Sequence, residues 1–331
     1  MGGQPIETLY LGGGTPSMLG VEEMELILTE VQNHFILSDN IEFTLEANPD
    51  DLTKAKLSDI KKLGINRLSI GIQTFDDRFL TYFNRAHDSE MAANCVPKAR
   101  EAGFENISVD LIFGIPNQTL DELKRDLERI IQLKPDHVSI YGLTIEPKTT
   151  FGNWQKKGNL KPIDEELAAQ QFELIMAFLK EKGFEQYEIS NFAKPGFKSK
   201  HNSSYWIGKK YLGLGPSAHS FNGISRQFNV RNNVLYTQSL ENGLVPATIE
   251  PQSYEDRVND VILTRLRTSA GLDLDWLEKE FDLSLRNQKS KEISQLLEGG
   301  VIQIEEEILR LSDSGKLLAD MITEKLFVQL S

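Results

Sequence analysis

Residues 106–143, NISVDLIFGIPNQTLDELKRDLERIIQLKPDHVSIYGL, hold a strand, a helix and a second strand in succession. NISVDLIFG (106–114) and HVSIYGL (137–143) are rich in β-branched and aromatic residues. Between them LDELKRDLERIIQL (120–133) sets leucine and isoleucine three or four apart, the spacing that buries one stripe of a helix. A helical crossover of this kind joins parallel strands, because a hairpin needs only a few residues. The same alternation recurs toward the N-terminus. TLYLG (8–12), EFTLEA (42–47) and RLSIGIQ (67–73) have strand character, and VEEMELILTEVQNHF, LSDIKKLG and MAANCVPKAREAG have helical spacing. Five parallel strands are expected over residues 1–150, an α/β architecture.

Toward the C-terminus the rhythm changes. DEELAAQQFELIMAFLKEK (164–182) is a strong helix, and the short β-rich pieces FEQYEIS and KKYLGLG break the alternation, so residues 151–245 are expected to extend the sheet. The turn-rich ENGLVPATIEPQS (241–253) has the composition of a linker. In 246–331, DRVNDVILTRLRT, DLDWLEKEF and KSKEISQLLEGG precede VIQIEEEILRLS, three helices and a hairpin that suggest a winged-helix-like module. Such modules often bind DNA, but residues 253–331 carry 10 basic and 16 acidic side chains. Packing or protein contact is the expected role, and regulation through this module is the weakest functional class.

Composition narrows the field further. A net charge of −13 over 331 residues argues against a large nucleic-acid footprint. No apolar run approaches the roughly 20 residues of a membrane span. No secretory leader follows Met1 and the single cysteine, Cys95, excludes an internal disulfide, so a cytoplasmic location is expected. A small ligand or a protein partner suits such a chain.

Four parts of the sequence could carry chemistry. LGGGTPS (11–17) closes a strand with glycines that can turn backbone N–H groups toward an anion, although a tight structural turn explains such a cluster equally. Glu46 and Gln73 end two strands and Asp110 interrupts an apolar one; each alone reads first as a satisfied core group or a cap, but together they point to the C-terminal face where β/α barrels gather their sites. HNSSYW (201–206) lies between Phe192 and Gly213, a segment with five lysines and no acidic residue. Aromatic faces, a histidine and cationic side chains would suit a planar ligand with carboxylate arms, and a loop histidine beside core aromatics is the plain alternative. YLGLGPSAHSF (211–221) could border a pocket or pack closely on a neighbour, and His219 receives no role.

The runs LGGGTPSML, TLEANPDDL, INRLSIGIQTFDDRFL, NRAHDSE, SVDLIFGIPNQT and SIYGLTIEP together resemble the radical SAM proteins related to oxygen-independent coproporphyrinogen III oxidases, over nearly the whole chain. The resemblance implies an incomplete (β/α)6 barrel. It implies S-adenosylmethionine contacts for Gly13, Gly14, Thr15, Glu46, Gln73, Arg85 and Asp110. H-N-x-x-Y-W is similar to the haem motif of HemW-type haem chaperones, which implies haem contacts for His201, Asn202, Tyr205 and Trp206, with His201 offered to the iron, and an acceptor protein for the haem. Glu46 and His201 then serve separate ligands, and a change at Glu46 is expected to leave haem binding largely unaltered.

The chain departs from the family at its C-x3-C-x2-C loop, the source of three thiolates for a 4Fe-4S cluster, which has no counterpart here. Cys95 cannot replace them. The expectation is a fragment that begins before the family's second strand, with the cluster found only in an intact form. The favoured function is haem binding and transfer. The alternative is a coproporphyrinogen III oxidase of porphyrin biosynthesis, whose catalysis is not expected of the chain as given.

Overall fold

The computed structural model describes residues 3–145, 147, 156–157 and 164–329. Five strands, β1 (Ile6–Leu11), β2 (Leu37–Ala47), β3 (Arg67–Gln73), β4 (Asn106–Phe113) and β5 (His137–Gly142), pair in parallel and in chain order. The helices between them are α1 (Val21–His34), α2 (Lys54–Lys62), α3 (Asp77–Tyr82), α4 (Ser89–Glu101) and α5 (Leu120–Leu133). α5 shows why these segments become helices: Thr119 and Glu122 form a reciprocal N-terminal cap, and Leu123, Leu127 and Ile130 are buried along one stripe. Each such side chain contributes roughly 1.5–3 kcal/mol when removed from water.

The two faces of the sheet differ in chemistry, and this decides where a site can form. Phe43 and Leu45 of β2, Leu68, Ile70 and Ile72 of β3, Val109 and Leu111 of β4, and Val138 and Ile140 of β5 belong to one buried apolar cluster with residues of the helices. The alternate positions carry Glu42, Thr44, Glu46, Arg67, Ser69, Asp110, His137 and Ser139. A strand has a side-chain period of two, so those residues form the opposite, polar face. A sheet with helices on both faces would need apolar residues on both. The polar face is the inner wall of an incomplete barrel.

After the last parallel strand come α6 (Glu165–Glu181) and a hairpin, β6 (Glu185–Glu188) and β7 (Asn191–Ala193); β7 pairs antiparallel with β5 and completes a seven-stranded sheet. FEQYEIS therefore extends the sheet as expected. KKYLGLG does not; Tyr211 forms only an isolated bridge to Phe221. The expected boundary at 150 lies outside the described residues. The chain forms two compact units, Met1–His201 and Asn202–Ser331.

A short helix, α7 (Lys200–Trp206), carries the HNSSYW motif, so the alternative of a loop histidine does not hold. In the second unit β8 (His219–Phe221), β9 (Ser225–Asn229) and β10 (Ala247–Pro251) form an antiparallel sheet with α8 (Asn233–Glu241) between its last two strands. The linker expected at 241–253 thus contains a strand: Thr248 and Ile249, both β-branched, outweigh the turn residues around them. The last module holds α9 (Tyr254–Leu266), β11 (Leu272–Asp273), α10 (Leu274–Phe281), α11 (Leu285–Gln288), α12 (Ser290–Glu298) and the hairpin β12 (Ile302–Glu305) and β13 (Ile308–Leu311). β11 pairs with β13, which gives the helices-plus-hairpin arrangement of a winged helix. Two further helices, α13 (Asp313–Lys316) and α14 (Ala319–Leu326), follow. No described helix is long and apolar enough to cross a membrane.

Candidate functional site

The C-terminal ends of the parallel strands bring the first group of residues together. Gly13 and Gly14 have φ of 74° and 73°, and the space where a Cβ would stand is open at both. Glu46 ties this loop to β2: its Oε2 accepts from the Gly13 N–H at 3.0 Å and its Oε1 from the Tyr10 hydroxyl at 2.6 Å. Thr15 precedes a short 3-10 turn without capping it through its side chain. On the neighbouring strand Gln73 takes a φ of 69°, and its amide lies over Gly71, where a Cβ would stand 2.7 Å from the Gln73 Nε2. Arg85 converges on the same glycine, donating to the Gly71 carbonyl at 3.1 Å and to the Asn48 Oδ1 at 2.6 Å. Burial lowers the guanidinium's proton affinity, and the charges of Asp50, Asp51 and Asp110 oppose that effect.

Asp110 stands at mid-strand on the inner face with the Ser69 hydroxyl donating to it at 3.3 Å. Burial raises its carboxyl to about 6, and the charge of Glu46 adds to the rise, while the Ser139 and Ser69 hydroxyls and the charge of Arg67 oppose it. The glycine loop, Glu46, Gln73, Arg85 and Asp110 thus belong to adjacent strands of the inner face and the loops that follow them, with Asp110 within electrostatic range of Glu46 and Arg85. Two carboxylates, an amide and a guanidinium are groups suited to a small zwitterion that carries an additional positive charge.

The second group is built around His201. Its backbone N–H donates to the Glu42 Oε1 at 2.9 Å, and the same carboxylate accepts from the Lys200 N–H and the Ser199 hydroxyl. The imidazole Nδ1 shares a 3.0 Å hydrogen bond with the Thr8 hydroxyl. The ring stacks on Tyr10 with centroids 4.5 Å apart and planes 17° from parallel. Burial lowers its pKa to about 4, with Arg67 adding to and Glu42 opposing the shift, so the ring is neutral at pH 7. A neutral imidazole is the form that binds a metal ion. His137 is the contrasting case: fully buried, its ring nitrogens bonded to Ser108 and Tyr187 at 2.8 Å each, it is a satisfied core histidine.

Further along α7, Tyr205 is exposed and meets Tyr211 edge-on at 4.6 Å, while Asn202 and Trp206 are half-buried. The cationic island is partly committed elsewhere. Lys198 pairs with Glu185 at 3.1 Å, Lys200 donates to the Asn40 carbonyl at 3.0 Å and Lys194 lies over the Phe184 ring. In the second unit Gly213 passes so close to the His219 backbone that any Cβ would collide with it, which is the close-packing reading of YLGLG. Sequence reasoning missed Thr8, Tyr10, Glu42 and Arg67. Their signal was the period of two in TLYLG, EFTLEA and RLSIGIQ, which puts them on the same face as Glu46 and Ser69.

Cys95 is fully buried in α4, where its thiol donates to the Ala92 carbonyl at 3.1 Å and burial pushes its pKa up to about 12. A thiol reagent is expected to label it only on unfolding; prompt labelling of the native protein would contradict this burial.

Residues 2–130 match the Radical SAM superfamily model, and residues 252–318 match the HemN C-terminal domain. Among solved structures, coproporphyrinogen III oxidase (HemN) from Escherichia coli, a radical SAM enzyme, superposes with a TM-score of 0.84 over 99% of this chain and 79% of its own, at 23% identity. The fold is that of a radical SAM scaffold. The heme chaperone HemW of Bacillus subtilis is 37% identical over 97% of this chain and 85% of its own length, and that of Lactococcus lactis is 32% identical over the same shares. The chain belongs to the HemW family of radical SAM proteins.

Proposed function

We propose that the protein binds haem and hands it to an acceptor protein, on a radical SAM scaffold whose mouth holds S-adenosylmethionine. The observation that carries this reading is the near-full-length likeness to heme chaperones together with an intact H-N-x-x-Y-W motif. The likeness to coproporphyrinogen III oxidase at 23% identity speaks for the fold and not for its reaction. In the proposed complex His201 would meet the iron, Tyr205 and Trp206 would offer apolar faces to the porphyrin, Asn202 would serve its polar edge, and lysines of the 192–213 segment would meet its propionates. The final module, 246–331, serves packing or protein contact. Titration of the protein with ferric haem, followed at the Soret band, tests the reading. Saturation at one haem per chain is expected, and binding no tighter than to an unrelated acidic protein would overturn it.

The residues at the mouth fit S-adenosylmethionine. Gly13 and Gly14 leave their Cβ space open, Glu46 and Asp110 suit its ammonium and sulfonium, and Arg85 suits its carboxylate. Bound there, it would supply a sulfonium-activated adenosyl group. In this proposal Glu46 orients the loop, Gln73 and Arg85 supply an amide and a guanidinium beside Gly71, and Asp110 supplies a carboxylate from the inner face. A 4Fe-4S cluster is not matched by these residues: the sequence has one thiol, buried in α4, and among the described residues no three histidine, cysteine or acidic side chains are grouped to hold a metal ion. Anaerobic reconstitution of this chain with iron and sulfide is expected to yield no stoichiometric cluster. Recovery of about four irons and matching labile sulfide per chain would contradict that.

A further inference from the structure

Tyr10 touches one residue from each of the two groups. Its hydroxyl donates to the Glu46 Oε1 at 2.6 Å, and its ring forms the surface on which the His201 imidazole lies. We propose that Tyr10 is a positioning residue that couples the carboxylate at the glycine loop to the His201 ring, so that what binds at Glu46 is felt at His201.

The His201 backbone is fixed by Glu42, and the edge of its ring is fixed by Thr8. A movement of the imidazole that keeps both of these bonds is sliding or tilting against the face of Tyr10. Tyr10 itself is anchored at its far end, because Glu46 accepts its hydroxyl on one oxygen and holds the Gly13 N–H at 3.0 Å with the other. Gly12 is what permits this course. A Cβ there would strike the Tyr10 ring and stand 2.9 Å from the Glu46 Oε1, so only glycine lets the tyrosine lie along the loop. A ligand that draws on the Gly13 N–H or on the Glu46 carboxylate changes the anchor of Tyr10, and the stacked imidazole moves with it. On this proposal Glu46 and His201 are linked, against the independence expected from the sequence. A tyrosine serving only as packing would lose little as phenylalanine, because the ring is retained; a coupling tyrosine loses its link.

The consequence for haem rests on the proposed role of His201, and it adds a direction. For Nε2 to offer its lone pair to iron, Nδ1 must carry the proton and donate it to the Thr8 hydroxyl.

The test uses the whole chain and reads the ring directly. Histidine-ring proton–nitrogen correlation spectra of the haem-free protein contain five histidines, and His201→Ala identifies the signals of interest by their loss. Tyr10→Phe and Glu46→Gln are each expected to shift the His201 ring signals, and Glu46→Gln should add no further shift once Tyr10 is phenylalanine. In ferric haem titrations Glu46→Gln is expected to lower affinity about threefold, and to have no effect in the His201→Ala background. His201 signals that coincide in the parent, Tyr10→Phe and Glu46→Gln proteins would overturn the coupling, whatever haem does. Shifted signals with haem affinity unmoved by His201→Ala would support the coupling and remove the haem role of His201 instead.

Discussion

If His201 meets the iron as proposed, replacing it with alanine is expected to weaken ferric haem binding about tenfold and to displace the Soret band, because the coordinating nitrogen is lost while the apolar surface remains. The structure makes this variant informative. The His201 backbone N–H that donates to Glu42 is unchanged in alanine, so the start of α7 keeps its anchor. What disappears is the ring, together with its stacking on Tyr10 and its bond to Thr8. Tyr205 and Trp206 remain for the porphyrin, so weakened rather than abolished binding is the expected result. Circular dichroism and thermal unfolding of the variant keep a loss of fold distinct from a loss of ligand. Affinity and Soret position both unchanged in the alanine variant would remove His201 from the haem site.

The barrel was legible because its strands and helices keep distinct periods. TLYLG, EFTLEA, RLSIGIQ, NISVDLIFG and HVSIYGL all became parallel strands, since each carries the apolar alternation that a helix-covered face requires. The same alternation held the missed information. Thr8 and Tyr10 occupy alternate positions in a five-residue run, and a sequence cannot show which distant segment will lie on that face; a separation of 193 residues divides Thr8 from its partner His201. The motif helix was missed for a related reason. Lys200–Trp206 has no apolar stripe of its own, and its start is held by the Glu42 carboxylate rather than by a local capping side chain. At 241–253 the turn residues dominated the composition, yet Thr248 and Ile249 found a partner strand in β9. Pairing across a sheet is non-local, and local composition does not report it.

Asp110 offers a test of the inner face that needs no ligand: Asp110→Asn is expected to stabilise the fold by about 2 kcal/mol near pH 7.5, with the difference shrinking as the pH falls toward 4. The sign follows from the direction of the shift. Burial raises the folded carboxyl to about 6, above the ordinary aspartate value of 3.8 that holds in the unfolded chain. Above pH 6 the group is ionised in both states and the folded state bears the desolvation cost in full. Between about pH 6 and 4 the folded protein takes up the proton first, so stability from this group rises as the pH falls; below the unfolded value the penalty is gone. Asp126 has its carboxyl raised to about 6 by burial as well, and contributes a slope of the same sign to parent and variant alike. Asp76 and Glu122, held low chiefly by hydrogen bonds to Arg78 and Thr119 respectively, slope the other way in both proteins. The difference between parent and variant therefore isolates Asp110, and urea unfolding from pH 4 to 8 measures it. A difference that stays constant with pH, or a variant less stable at pH 7.5, would show that the carboxylate is not held there against its own solvation. A carboxylate kept ionised at such a cost, with Glu46 and Arg85 in electrostatic range, is what the proposed ligand role of Asp110 requires, and the fold alone gives no reason for it.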